Sequence, residues 1–135
     1  MSNSGYVANA GRLPAISLPN AGQAAKESLR TLLRRCPRET VEAAVQFRRT
    51  RNLDVVPAIV RGVISRYLEV DRRELLQSPR DDLRLSEDLG LDSLSLIEIS
   101  MTLEDVLQVS LSEDKLRHLR TLGDISRYAR QVGSV

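Results

Sequence analysis

The chain has 135 residues and a formal net charge of +2, and 41% of its residues are hydrophobic although only 3% are aromatic. These values fit one domain of ordinary size with an aliphatic core, and they favour helices over a sandwich or barrel, whose strands prefer aromatic and β-branched residues. The single cysteine excludes an internal disulfide, no Cys/His cluster is present to hold zinc, and no apolar run reaches the ~18 residues of a membrane-spanning helix.

The small net charge hides two halves of opposite sign. Residues 1–53 contain nine Lys/Arg and three Asp/Glu, a charge of +6, whereas residues 54–135 contain eleven and fifteen, a charge of −4. Residues 88–114 hold seven acids and no basic residue. An acidic surface attracts basic partners and repels nucleic acid, although a charge run alone is more often a solvated helix face. The basic half permits binding to nucleic acid or an anionic membrane, but it lacks the aromatic residues that stack on bases, so no nucleic-acid partner is expected.

The N-terminal part divides into a leader and a helical extension. Residues 1–22 are rich in Gly, Pro, Asn and Ser and predict a disordered leader. Because they lack a charged start followed by an apolar segment, no secretory signal is predicted and the expected location is cytoplasmic. Apolar residues then recur at helical spacing up to Pro37, and a second helix is predicted from there to Arg51. Residues 23–53 therefore predict a basic helical extension.

A further helix and a long loop are predicted next. Asp54 is expected to cap the helix, with Pro57 in its first turn and a buried side that extends to Leu68. Residues 70–92 show no sustained period, so we predict a loop with one short turn at residues 74–77.

Three helices complete the predicted fold. A long helix follows over residues 93–108, a short one begins at Ser112, and a last one runs from its cap at Thr121 through Val132. The predicted fold class is all-α, with an N-terminal helical extension before a bundle of three main helices and a short helix over residues 54–135. We expect this bundle to fold without the extension, because its own helices supply the apolar positions.

The motif Gly90-Leu91-Asp92-Ser93-Leu94 stands between the long loop and the acidic helix. With this order of elements, residues 54–132 resemble the acyl carrier protein family, including the carrier domains of polyketide and peptide synthases. The resemblance implies an acyl-carrier-like bundle in which Ser93 receives 4′-phosphopantetheine from coenzyme A and Asp92 helps to position the coenzyme and a divalent metal.

The motif also makes physical sense without the resemblance. A serine at a helix N-terminus points its hydroxyl outward, and the helix dipole there favours a phosphodiester. Gly90 permits the tight turn before it. The alternative is that Ser93 is an ordinary N-cap, a common position for serine.

The resemblance further implies a partner-recognition face on the helix that begins with the motif. The predicted face consists of Asp92, Leu94, Ile97, Glu98, Met101, Glu104 and Asp105. Met101 offers a soft apolar contact within an acidic rim. The alternative is that Ile97 and Met101 are core residues, which helical spacing permits equally.

No catalytic residue and no metal ligand is predicted. His118 stands alone, Cys36 has the character of a small buried hydrophobe, and no Gly-rich phosphate loop or carboxylate pair is present. The predicted function is therefore that of a carrier and not an enzyme: it holds acyl intermediates as thioesters on its 4′-phosphopantetheine arm in fatty-acid-like, polyketide or other specialised lipid or secondary-metabolite biosynthesis. The basic extension distinguishes the chain from the short, strongly acidic carriers of primary fatty-acid synthesis.

The expected partners are a phosphopantetheinyl transferase and enzymes that load, condense or transfer acyl groups, with the extension docking onto either a partner or the carrier itself. The alternative function is a carrier-like structural subunit of a larger complex that is never modified.

Overall fold

The computed structural model describes the backbone of residues 21–134 and the side chains of residues 26–134. The elements are α1 (Ala21–Leu32), α2 (Arg38–Thr50), a 3-10 turn (Leu53–Val55), α3 (Val56–Ser65), α4 (Val70–Arg73), a second 3-10 turn (Glu74–Gln77), α5 (Ser93–Leu107), α6 (Glu113–Leu116) and α7 (Leu122–Gly133). Over this range the backbone forms no strand, and one isolated bridge pairs Arg84 with Thr121. The all-α prediction is confirmed. The predicted leader lies almost entirely outside the described residues.

The start of α3 differs from the prediction. Asp54 does not cap this helix; the Asn52 side chain accepts the backbone N–H of Asp54 at 3.0 Å and opens a 3-10 turn that leads into α3. Pro57 lies in the first turn of α3, as predicted. Asparagine readily accepts a hydrogen bond from the backbone two residues ahead, so the cap forms two positions earlier than expected.

The predicted long loop contains more structure than its sequence indicates. The short turn at residues 74–77 is confirmed as a 3-10 turn, but Val70–Arg73 form an additional helical turn, α4. Arg73 stabilises this corner, because its Nε donates to the carbonyl oxygens of Ser65 and Leu68 at 3.1 and 3.2 Å. A four-residue helix is too short to create a period, so the pattern does not reveal it.

One hydrophobic core joins α1 and α2 to the helices that follow. Leu29 of α1, Leu33 directly after that helix, and Ala44 and Phe47 of α2 are buried in the same cluster as the apolar side chains of α3, α5 and α7. The central element is α3, which packs against α2, α5 and α7. Most of its residues are buried, namely Val56, Ile59, Val60, Gly62, Val63 and Ile64. The basic extension is therefore packed on the carrier helices themselves.

Gly62 allows α2 to approach α3 closely. A Cβ atom at this position would lie 2.6 Å from Cγ2 and 2.7 Å from Cβ of Thr40, a residue that is only 3% exposed. Glycine in a helix interior costs about 1 kcal/mol relative to alanine. The close helix contact explains why α3 carries glycine here.

Two arginines of the extension bind the C-terminal end of α5. Arg48 donates to the carbonyl oxygens of Asp105 and Val106 at 2.6 and 3.2 Å, and Arg51 donates to that of Leu107 at 3.2 Å. The last carbonyl groups of a helix receive no hydrogen bond from an N–H group of the same helix. The arginine side chains therefore satisfy carbonyl groups that would otherwise need water. Because α5 is roughly 20 Å long, the extension grips the end of α5 that lies far from Ser93.

Candidate functional site at the start of α5

A tightly bonded loop delivers the chain to α5. Leu89 N–H donates to the Arg84 carbonyl at 3.0 Å, and Leu91 N–H donates to the Leu85 carbonyl at 2.9 Å. The four leucines of this segment, Leu83, Leu85, Leu89 and Leu91, are buried. Their burial anchors the loop on the core and thereby fixes the position at which α5 begins.

Gly90 turns the chain just before the helix. Its φ is +71°, and a Cβ there would lie 3.0 Å from Nη1 of Arg72, which donates to the Asp88 carbonyl at 3.0 Å. A residue with a side chain would meet both the unfavourable backbone conformation and the Arg72 guanidinium. The turn therefore requires glycine at this position.

Asp92 caps α5 and leaves Ser93 as the first residue of the helix. The Asp92 carboxylate accepts the backbone N–H of Ser95 at 2.8 Å. This bond lowers the pKa of Asp92, so the carboxylate stays ionised at the positive end of the helix dipole. The interpretation of Ser93 as the N-cap is wrong. Ser93 is exposed, and the cap of α5 does not use its hydroxyl.

A cavity of about 260 Å³ opens beside Ser93, between the first turns of α5 and the short helix α6. Its lining consists of Ser93, Leu96, Ile97, Glu113, Leu116 and Arg117. The sequence patterns did not identify Glu113 and Leu116 of α6 or Arg117 directly after it, because only the folded arrangement brings this segment next to the start of α5. The site thus joins an exposed hydroxyl to a partly apolar groove.

The residues of the predicted recognition face differ in their surroundings. Leu94, Ile97 and Met101 are exposed by 64%, 43% and 58%, so neither Ile97 nor Met101 belongs to the core. The side chains of Glu98 and Asp105 are exposed as well.

Glu104 is half-buried, and its carboxylate accepts the Leu111 N–H at 2.8 Å. This carboxylate therefore holds the chain between α5 and α6, a structural contact that the acidic pattern did not indicate.

His118 and Cys36 line other cavities than the one beside Ser93. His118 is exposed, and its Nδ1 lies 2.7 Å from the Asp114 carbonyl oxygen. Cys36 is half-buried, and burial raises the pKa of its thiol. Among the described residues, no three His, Cys, Asp or Glu side chains are grouped closely enough to hold a metal ion. None of the described helices is long and apolar enough to cross a membrane.

Comparison with known proteins identifies the class of this site. Residues 58–129 match the family described as the phosphopantetheine attachment site. An acyl carrier protein of Chlamydia trachomatis is 44% identical over 57 residues, which cover 40% of this chain and 74% of that protein. An acyl carrier protein of Chlamydia caviae is 37% identical over 71 residues, covering 53% of this chain and 87% of that protein, and one of Wolinella succinogenes is 29% identical over 69 residues, covering 51% and 86%.

The matched segment is a carrier domain for a covalently attached prosthetic group. The chain belongs to the acyl carrier protein family, and this membership implies a covalent 4′-phosphopantetheine. The residues at the start of α5 fit such a group, because the exposed Ser93 hydroxyl borders a groove with leucine and isoleucine side chains. The matched segment begins within α3, so α1 and α2 lie outside it.

Proposed function

We propose that this chain carries acyl groups as thioesters on a 4′-phosphopantetheine arm attached to Ser93 Oγ. The observation that carries the proposal is that different residues cap α5 and present a hydroxyl at its start. Asp92 caps the helix through Ser95, so the exposed Ser93 hydroxyl is available for modification.

The chemistry of attachment is a phosphoryl transfer to the serine hydroxyl. Ser93 Oγ forms a bond to phosphorus, the diphosphate linkage of coenzyme A breaks, adenosine 3′,5′-bisphosphate leaves and the hydroxyl proton passes to the transferase. The chain supplies the positioning: Gly90 turns the backbone, and the N-terminus of α5 favours the resulting anion. When attached, the arm supplies the thiol that holds the acyl group. We assign this chain the role of a carrier and no catalytic step of its own.

The proposed partners are a phosphopantetheinyl transferase and the enzymes of a specialised acyl pathway, fatty-acid-like, polyketide or other, in the cytoplasm. The specialised assignment is supported by the basic extension, which lies outside the family match yet contributes Phe47, Leu29 and Leu33 to the common core. The proposed docking surface for these partners is the exposed side of α5 around Leu94, Glu98 and Met101, together with Asp92, Ile97, Glu104 and Asp105.

Mass spectrometry of the full chain tests the attachment. Incubated with coenzyme A, magnesium and a broad-specificity phosphopantetheinyl transferase, the protein is expected to gain the mass of one 4′-phosphopantetheine, and peptide mapping is expected to find it on Ser93. A typical bacterial acyl carrier protein, treated under the same conditions, is the positive control for transferase activity. An unmodified chain beside a modified control would favour the alternative of an unmodified structural subunit.

Reversing one charge on α5 tests the docking surface. Glu98→Lys is expected to slow modification by the transferase severalfold at low salt, because an exposed carboxylate that steers a basic partner acts mainly on the rate of association. The difference is expected to shrink as salt shortens the field to about 8 Å at physiological ionic strength. Glu42→Lys, the same charge change at an exposed position of α2, is the matched control. Equal effects of the two variants would show that the Glu98 carboxylate is a solvated charge that does not steer the partner.

A further inference from the structure

The arm that we propose on Ser93 brings a negative charge into acidic surroundings. A phosphodiester at Ser93 would lie next to the Asp92 carboxylate and share its cavity with Glu113. No basic residue occurs in the sequence between Arg84 and Lys115. Besides the N-terminus of α5, any positive group near this anion must therefore come from a part of the chain that folding brings to it.

Arg117 is the one basic residue among the six that line the cavity next to Ser93. Its side chain is 73% exposed, and its ion pair with Asp114 is long, at 3.8 Å. An exposed pair of this kind contributes little to stability, so it holds the guanidinium only weakly. Arginine presents a planar fork of N–H donors that matches two oxygens of a phosphate.

Lys115, another basic residue of this region, faces a different neighbour. Its ammonium lies 5.7 Å from the centroid of the Tyr128 ring, and it lines the cavity between α6 and α7 instead of the one beside Ser93. Lys115 and Arg117, two positions apart, therefore line different cavities. This difference provides a matched control with the same charge.

The size of the cavity limits what it can hold. At about 260 Å³ it lies just below the roughly 300–1,000 Å³ typical of sites that enclose a whole small ligand. It therefore suits one section of an arm that enters from Ser93. Leu96 and Leu116 supply apolar contacts beyond the guanidinium.

We propose that Arg117 binds the phosphodiester that joins the arm to Ser93 and so holds the first part of the arm in the groove between α5 and α6. The proposal rests on the proposed function, because it requires attachment at Ser93. Arg117 is a positioning residue: it touches the anchor of the arm and not the acyl group at its distal thiol.

Phosphorus NMR of the full-length modified protein tests this binding. The wild-type phosphodiester resonance is expected to be broad, because the phosphate turns with the protein. In Arg117→Gln the resonance is expected to shift and to narrow as the arm gains freedom, whereas Lys115→Gln is expected to match the wild type. Arg117→Lys is expected to restore part of the broadening, since a lysine keeps the charge without the fork. High salt is expected to narrow the wild-type resonance and to leave that of Arg117→Gln unchanged.

The outcomes separate this proposal from the one on which it rests. A wild-type protein that shows no phosphodiester resonance after treatment with the transferase would contradict attachment itself. A resonance that is present but has the same shift and linewidth in wild type, Arg117→Gln and Lys115→Gln would overturn the role of Arg117 alone. Circular dichroism checks that each variant is folded, and the exposed position of Arg117 gives no reason to expect unfolding.

Discussion

The Ser93→Ala protein is expected to keep its unmodified mass after incubation with coenzyme A and the transferase, while the wild type gains one 4′-phosphopantetheine. The loss is expected to be complete, because alanine has no oxygen to form the phosphodiester. The variant is expected to stay as stable as the wild type to within about 0.5 kcal/mol, since Ser93 is exposed and Asp92 supplies the helix cap. Intact-mass measurement and chemical denaturation check the two expectations.

Ser95→Ala is the matched control for this substitution. Ser95 lies two residues further along the same helical turn, and it contributes its backbone N–H to the Asp92 cap, a group that alanine retains. Ser95→Ala is therefore expected to be modified at the normal rate. Modification that persists in Ser93→Ala, or that disappears in Ser95→Ala with Ser93 still present, would remove Ser93 from the proposed function.

Truncating Phe47 to alanine is expected to destabilise the whole described chain by about 3–5 kcal/mol, the usual cost of removing a fully buried phenylalanine side chain. Phe47 belongs to the basic extension but has no exposed surface, and its ring lies near Gly133 at the end of α7, where an added Cβ would be 3.5 Å from it. The lost contacts therefore span the extension and the carrier helices. Urea denaturation followed by circular dichroism measures the change.

The manner of unfolding separates a common core from two independent ones. With a common core, hydrogen exchange is expected to accelerate in α3 and α7 of Phe47→Ala as well as in α2, because all of them open through the same transition. Phe47→Leu keeps much of the side-chain volume and is expected to cost clearly less. Faster exchange confined to α1 and α2, with unchanged α3 and α7, would contradict the shared core.

This core bears on one expectation drawn from the sequence, which stays a prediction. The apolar positions after Asp54 predict a bundle that folds without the extension, but six of the ten residues of α3 are buried and α2 covers part of this helix. Removing α2 would expose apolar side chains of α3, each of which contributes roughly 1.5–3 kcal/mol when buried. The apolar side chains of α3 occupy most of its circumference, and its half-buried Arg61 and Ser65 lie on the remaining face.

Short-range rules predicted the ends of several helices. The Thr121 cap of α7 is confirmed, as part of a capping box with Asp124. The Asp124 carboxylate accepts the backbone N–H groups of Arg120 and Thr121, and these bonds lower its pKa. The short helix predicted to begin at Ser112 is present as α6, with Ser112 as its N-cap. These features depend on residues three positions apart, so the sequence contains all that they need.

Other features depend on distant contacts and had no local pattern. Arg117 joins the cavity of Ser93 only because α6 packs beside α5. Glu104 looks like one more acid of the recognition face, yet its carboxylate reaches Leu111. The hydrogen bonds from Arg48 to the end of α5 join residues that are separated by 57 and by 58 positions in the sequence. No helical period encodes a separation of that length.

The contact between Gly62 and Thr40 bears on how this carrier could be transplanted. Carrier domains are attractive parts for chimeric assembly lines, and a family match that begins at residue 58 invites a junction just before it. Such a junction would remove Thr40, which packs against Gly62. It would also remove Arg48 and with it the hydrogen bonds from that residue to α5. A graft that keeps this carrier intact would have to include both preceding helices, so its natural splice point lies ahead of Ala21.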